Sequence, residues 1–331
     1  MNVERILNAF SHTSALIVGD VCLDRWCTYD PAASDVSRET GIPRIGVVST
    51  EVTPGAGGTV ANNLAALGIG RVAMIGAVGD DGSGYELKRA LKVRGISTDL
   101  LVTSVALPTF TYTKLLNKQT GDEDRPRVDF IFAEPLPASV ETQVIARLRN
   151  SVGDFDLILV SDQAETSQGG VITGAVRNFL SELAASHPEK LIWVDSRVRS
   201  HLFRKAILKP NEQEFAAASI EALGRVDYEG FRRHLDTRLL FVTQGSRGVM
   251  VVDSQGEQLV PTRAVEKPVD ICGAGDSFSA AASVALAATG SAMDAAQFGN
   301  LVASITIMKK GTGTASPEEV RKISRTAGAL V

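Results

Sequence analysis

Cysteine is scarce in this chain: Cys22, Cys27 and Cys272 are the only three among 331 residues. An odd, widely spaced set of this kind excludes a disulfide-stapled scaffold and offers no zinc-ligand spacing. Histidine is nearly as rare, and His12, His187, His201 and His234 have no patterned partners, so they read as surface or internally satisfied residues. No long hydrophobic run is present; the apolar stretches 157–160 and 280–288 are far too short to cross a bilayer. Neither sign of charge dominates. The net charge is −4 with both signs interspersed, which excludes a basic face for nucleic acid. A Gly-x-x-x-x-Gly-Lys-Ser/Thr phosphate loop is missing, and Gly55-Ala56-Gly57 lacks the third glycine of a dinucleotide fingerprint. The opening Met1-Asn2-Val3-Glu4-Arg5 lacks the basic-then-apolar order of a secretory signal, so a cytoplasmic location is expected.

What the chain has is core-forming sequence, 44% hydrophobic and long enough for one large α/β domain or two modest ones. Short apolar runs between polar or glycine-containing turns predict strands at 15–19, 72–77, 156–160, 191–194, 206–208 and 239–243. Helical periodicity over 59–67, 84–94, 139–150 and 170–186 fills the intervals. Such alternation predicts a doubly wound, mainly parallel sheet flanked by helices, with ligands at the carboxyl ends of its strands.

The alternation breaks twice. Residues 26–29 and 45–50 are strand-like with no helix between them, as are 109–116 and 127–132 around the polar turn 117–124. Their period-two pattern predicts a small antiparallel β lid from about 25–50 and 109–132, able to exclude water from a reacting group. The edges of that lid would suit pairing between two copies of the chain as a homodimer. Ala-rich helical sequence follows at 276–288, 295–310 and 316–325. With no repeat and no linker, residues 1–331 read as a single domain carrying an inserted lid.

The most informative stretch is Asp270-Ile271-Cys272-Gly273-Ala274-Gly275-Asp276-Ser277-Phe278. Gly273 and Gly275 let the backbone turn tightly and bring consecutive N–H groups toward one point. The helix that begins there adds its free N–H groups and positive end, making an anion hole. Asp276 at its mouth is placed to accept a proton from an attacking hydroxyl. A plain helix cap with a glycine turn accounts for the same stretch equally well.

In its setting the stretch resembles the C-terminal signature of ribokinase-like, PfkB-type sugar kinases. That resemblance implies Asp276 as catalytic base and Gly273, Ala274 and Gly275 as the anion hole; Cys272 stands where many members carry Thr. Four further stretches resemble the family in the same order. Gly19-Asp20-Val21-Cys22-Leu23-Asp24-Arg25 follows the first strand and implies Asp24, with Asp20 beside it, as sugar-binding carboxylates. Pro54-Gly55-Ala56-Gly57-Gly58-Thr59 resembles the sugar loop, with Gly55, Gly57, Gly58 and Thr59 at the substrate. Lys209-Pro210-Asn211-Glu212-Gln213-Glu214 resembles an Asn-x-x-Glu element, implying that Asn211 and Glu214 organise Mg²⁺ and the phosphates through water, with Lys209 beside them. Thr243, Gly245 and Gly248 resemble the nucleotide-side turn, and Asn300 a residue bordering adenine. ATP and Mg²⁺ are the cofactors this resemblance implies.

Within the family the chain looks most like bacterial heptose-7-phosphate kinases, through Gly19–Arg25, Ser37-Arg38-Glu39, Pro54-Gly55 and the lid sequences around 111–115 and 127–130. A phosphorylated substrate would explain Arg25, Arg38, Arg44, Lys114 and Arg127 in or near the lid; a solvated lid surface would explain them as well. Thr59 replaces the family's Asn, 161–166 lacks the usual Tyr and Lys, and Asp195-Ser196-Arg197 replaces Asp-Pro-Lys. A kinase of an unphosphorylated sugar and a non-catalytic sugar or nucleotide sensor are the alternatives.

Overall fold

The computed structural model describes residues 1–328 apart from Glu165, Ser167 and Ala264. After a short helix α1 (Val3–Phe10), capped by the Asn2 side chain, comes strand β1 (Ser14–Gly19), buried from its second residue onward. Continuous apolar sequence is what a parallel strand covered on both faces requires. The chain then leaves the core as β2 (Val21–Tyr29) and returns as β3 (Val47–Ala56). Helix α2 (Gly57–Ala66), β4 (Arg71–Gly79), α3 (Gly82–Val93) and β5 (Leu101–Ser104) follow. A second excursion makes β6 (Thr111–Asn117) and β7 (Val128–Phe130). The winding resumes with α4 (Ala138–Ser151), β8 (Leu157–Asp162), α5 (Gly174–Ser186), β9 (Leu191–Ser196), β10 (Ile207–Leu208), α6 (Glu212–Leu223), α7 (Tyr228–His234) and β11 (Leu240–Thr243). The hairpin β12 (Val249–Asp253) and β13 (Gly256–Val260) precedes α8 (Ala274–Thr289), α9 (Ala292–Thr306) and α10 (Pro317–Gly328).

The main sheet runs β13-β12-β11-β10-β9-β8-β1-β4-β5, parallel from β11 to β5 and antiparallel at the hairpin edge. Strand period two divides its side chains between two cores. Ile17, Met74, Leu159 and Trp193 pack toward α1, α2, α8 and α9. Leu16, Val18, Ile158, Val160 and Ile192 pack toward α4, α5, α6 and α7. The alanines of α8 are buried nearly all round, and small residues let α9 close against it. At Gly299 a Cβ would lie 2.6 Å from the Phe278 ring.

The lid is a separate four-stranded sheet, β3-β2-β6-β7. An all-antiparallel lid was expected, but β2 and β6 pair in parallel, with Leu23 opposite Thr111 and Tyr29 opposite Asn117. Both strands leave the same end of a parallel core and so travel outward in one direction; only the hairpin-like pairs β2–β3 and β6–β7 are antiparallel. Strand β3 runs on through Pro54, which an edge strand tolerates because one side of it needs no donor. Helix α5 begins at 174 and not 170, since Thr173 caps it by accepting the Val176 N–H.

Because the chain winds outward from β1 in both directions, the carboxyl ends of β1, β8 and β9 border the crevice where such sheets hold ligands.

Candidate active site

Two cavities open there. One, of ≈ 220 Å³, lies beneath the lid and is lined by Asp24, Arg25, Trp26, Thr59, Tyr112, Lys114, Arg127 and Cys272 among others. The second, a groove of ≈ 520 Å³, lies beside α6, β11 and α9. All seven residues expected along a nucleotide line it: Lys209, Asn211, Glu214, Thr243, Gly245, Gly248 and Asn300. The cavities share Gln163, Arg197, Gly273 and Asp276.

The wall between them is the loop into α8. Asp270 ties it down, its carboxylate accepting the Cys272 N–H at 2.9 Å and the Gly311 N–H at 3.1 Å. Gly273 has φ +76°, a left-handed conformation that favours glycine, and a Cβ there would press on Thr59 and Thr312 at 3.2 Å. The Ala274 N–H donates to the Ile271 carbonyl. Gly275 and Asp276 follow in the first turn, where helix geometry supplies no intrahelical acceptor for an N–H and the helix end is positive. Asp276 is no cap: Gly273 occupies the N-cap position and the helix start has no side-chain cap bond.

Burial by the surrounding protein and then the charge of Asp195 raise the Asp276 carboxyl, Lys209 and Arg197 pull it down, and the balance leaves it at about 7. A carboxyl titrating there is half charged at neutral pH, well matched to taking a proton from a hydroxyl. Only the charged form accepts one. We therefore expect kcat/KM to fall tenfold per pH unit below about 7 and to level off above it, whereas a carboxyl of ordinary pKa 3.8 would give a flat profile from pH 5 upward.

Asp24 projects from β2 into the lid cavity; burial raises its carboxyl to about 6, opposed by a bond from the Cys22 thiol (3.6 Å) and by Lys114 and Arg127. Gly55 makes room for it, since a Cβ there would fall 2.5 Å from both the Asp24 carboxylate and the Cys22 sulfur. Lys114 and Arg127 reach the same cavity from β6 and just before β7, with Lys114 3.5 Å from Glu123 and Arg127 2.7 Å from Asp129.

Four residues expected at the substrate, Asp20, Gly55, Gly57 and Gly58, do not line the lid cavity. Asp20 is buried, and its carboxylate accepts the N–H groups of Gln163, Ala164 and Val171 at 2.7–3.0 Å, so it lashes the loop after β8 to β1. Gly57 and Gly58 are buried at the start of α2, packed against Asp20 and Pro54, and Ala56 and Thr59 line the cavity in their place.

In the groove, Lys209 is buried and pairs with Asp195 at 3.0 Å. Asn211 and Glu214 form a capping box for α6: the Glu214 carboxylate accepts the Asn211 N–H at 2.7 Å, and the Asn211 side chain accepts the Glu214 N–H at 2.9 Å. Burial, and then the charge of Asp195, raise the Glu214 carboxyl. Asn300 donates to the Val260 carbonyl at 3.2 Å, tying α9 to the sheet edge.

Sequence reasoning gave no site role to Gln163, Asp195 or Arg197. Each lies at the carboxyl end of β8 or β9, and that position in a parallel sheet was the available signal.

Residues 21–319 match the family described as pfkB family carbohydrate kinase. The chain belongs to that family. It is thus an enzyme of the carbohydrate-kinase class. Among curated relatives, the bifunctional protein HldE of Bradyrhizobium sp. (strain ORS 278) is 32% identical over 338 residues, and that of Rhodopseudomonas palustris (strain HaA2) 30% over 331. The alignments cover 96% and 97% of this chain, which spans 65% of the length of each relative. Similar solved structures include a ribokinase from Thermotoga maritima (TM-score 0.69, 21% identity, covering 95% of this chain and 99% of that one). Phosphofructokinase-2 from Escherichia coli is similar too (TM-score 0.69, 18% identity, covering 96% and 99%). These carry the fold: a large, mostly parallel sheet flanked by helices, with a smaller sheet. No described helix is long and apolar enough to cross a membrane.

Proposed function

We propose that this kinase moves the terminal phosphoryl group of ATP to a hydroxyl of a sugar that already carries a phosphate, with a heptose 7-phosphate as the first candidate. The observation that carries this reading is the charge of the lid cavity. Arg25, Lys114, Arg127 and Arg197 line it against the carboxylates Asp24 and Asp276. Lys114 pairs with Glu123, Arg127 with Asp129 and Arg25 with Glu86, but four cationic side chains around one small cavity still suit a phosphate monoester better than a neutral sugar. The resemblance of 19–25 and of the lid to heptose-7-phosphate kinases, and the likeness to HldE proteins, support the choice of sugar.

The geometry suits direct transfer. With the sugar under the lid and ATP in the groove, the reacting hydroxyl and the terminal phosphate meet at the residues both cavities share. The hydroxyl oxygen forms a bond to phosphorus, the bond from phosphorus to the bridging oxygen breaks, ADP leaves, and the hydroxyl proton passes to Asp276. The start of α8 faces the charge of the moving group. Asp24 accepts bonds from sugar hydroxyls and orients the ring.

Mg²⁺ bound to the phosphates would offset their charge. The groove suits an ion held through water: no cluster of three or more His, Cys, Asp or Glu that could ligate one directly exists among the described residues. Glu214 spends one carboxylate oxygen on its capping box, and the charge it carries beside Asp195 favours a nearby cation. The same proposal includes a homodimer through the lid, whose edge strands expose Val47, Val48, Val128 and Phe130.

Release of ADP, followed over paired sugars and sugar phosphates, tests the reading. Phosphorylated acceptors should exceed their unphosphorylated partners in kcat/KM by about tenfold or more, the worth of one charge-assisted hydrogen bond. Turnover confined to unphosphorylated sugars would replace this substrate class, and ADP release with no acceptor at all would overturn the proposal.

A further inference from the structure

We infer that Arg197 is a catalytic residue that holds the phosphoryl group as it passes from the nucleotide groove to the lid cavity. The inference rests on the kinase reading above and adds a residue to it. The cations of the lid cavity are Arg25, Lys114, Arg127 and Arg197, and those of the groove are Arg197, Lys209 and Arg263. Arg197 alone among these borders both.

Its position is built. The Arg197 N–H donates to the Asp162 carbonyl at 3.0 Å, fixing the start of the turn after β9 to the end of β8. Ser196 donates to the Asp162 carboxylate at 2.6 Å, and Arg199 binds that carboxylate while donating to the Gly169 carbonyl at 3.0 Å. Residues 196 and 199 are thus buried and pinned, while Arg197 between them is exposed and turned to the cavities. Its charge is felt by Asp276 and by Glu214, one in the shared wall and the other in the groove.

Lys209 is buried, held by Asp195 at 3.0 Å, and borders the groove alone. The start of α8 offers backbone N–H groups from the Asp276 side of the crevice, and Arg197 comes from the end of β9. A phosphoryl group in a loose transition state spreads its charge over three equatorial oxygens, and a planar guanidinium with its fork of donors can hold two of them. A lysine offers only a point charge at that place.

Arg197→Gln and Arg197→Lys, assayed on the best acceptor with ATP, decide the matter. The glutamine variant should lose about 10²–10³ in kcat, the cost of removing one transition-state donor, with both KM values within about threefold of wild type. The lysine variant should recover part of that loss, and methylguanidinium added to Arg197→Ala should restore measurable rate. Unfolding midpoints of all three variants, measured alongside, separate a loss of rate from a loss of fold, and the turn itself is held by Ser196 and Arg199. A glutamine variant with near wild-type kcat, or one whose only change is a raised KM for one substrate, overturns the assignment. If wild type itself transfers no phosphoryl group to any acceptor, the kinase reading falls first and this inference falls with it.

Discussion

Replacing Asp276 by Asn is expected to lower kcat by at least about 10², within the 10²–10⁴ range for loss of a general base. The carboxylate stands where both cavities meet, in the first turn of α8, and burial holds its pKa at about 7. Asn preserves the size and the hydrogen-bonding reach but cannot take a proton. Because phosphoryl transfer passes through a loose transition state, the proposed role of Asp276 is to orient the hydroxyl as well as to deprotonate it. Asn would present an amide donor where an acceptor is needed, so both roles suffer.

Stability should move the opposite way. A carboxyl whose native pKa lies above its unfolded value contributes stability that is complete below about 3.8 and is lost as pH rises through about 7. At pH 8 wild type therefore carries an unfavourable charge that Asn lacks, and the variant should unfold no earlier than wild type. A helix-capping aspartate would behave in reverse, losing stability and keeping its rate. Measured together, kcat and the urea midpoint separate the two; a variant retaining more than about a tenth of the rate is not missing its base.

Arg199→Met is expected to cost about 3–5 kcal/mol of stability, the usual penalty for stripping one partner from a buried ion pair. Arg199 is 4% exposed and Asp162 1%, and the guanidinium engages both carboxylate oxygens. Methionine fills similar space but leaves Asp162 charged, buried and bonded to Ser196 through a single side-chain hydroxyl. Urea unfolding should show a lower midpoint with an unchanged slope, since the surface exposed on unfolding is the same. Pairing it with Asp162→Leu should recover much of the loss, because two apolar groups need no partner. A shift below about 1 kcal/mol for the single variant would mean that the pair is solvated after all.

The parallel core was legible because β1, β8 and β9 are apolar on both faces, and little other than a covered sheet has that pattern. Edges were not. β13 has four of its five residues exposed and reads as loop, and β12 follows β11 so closely that the turn at Gly248 (φ +104°) hid the hairpin. Strand direction in the lid was also illegible, since period two is the same for parallel and antiparallel pairs and only the topology of the core decides it. At the site, the glycine loop stood out because it joins a left-handed turn to a helix start within nine residues. Asp20 shows the limit: an aspartate just past a strand looks the same in sequence whether it faces a sugar hydroxyl or three backbone N–H groups. Arg197 was hidden because nothing in a sequence says that one residue borders two cavities.

The central claim is transfer between the two cavities, and phosphorus NMR of a reaction holding ATP, Mg²⁺ and a sugar phosphate tests it most directly. The account predicts a second phosphomonoester resonance on the sugar, growing in step with ADP and absent with Asp276→Asn. ATP consumed with only inorganic phosphate appearing, or a new sugar resonance formed equally by the Asn variant, would contradict it.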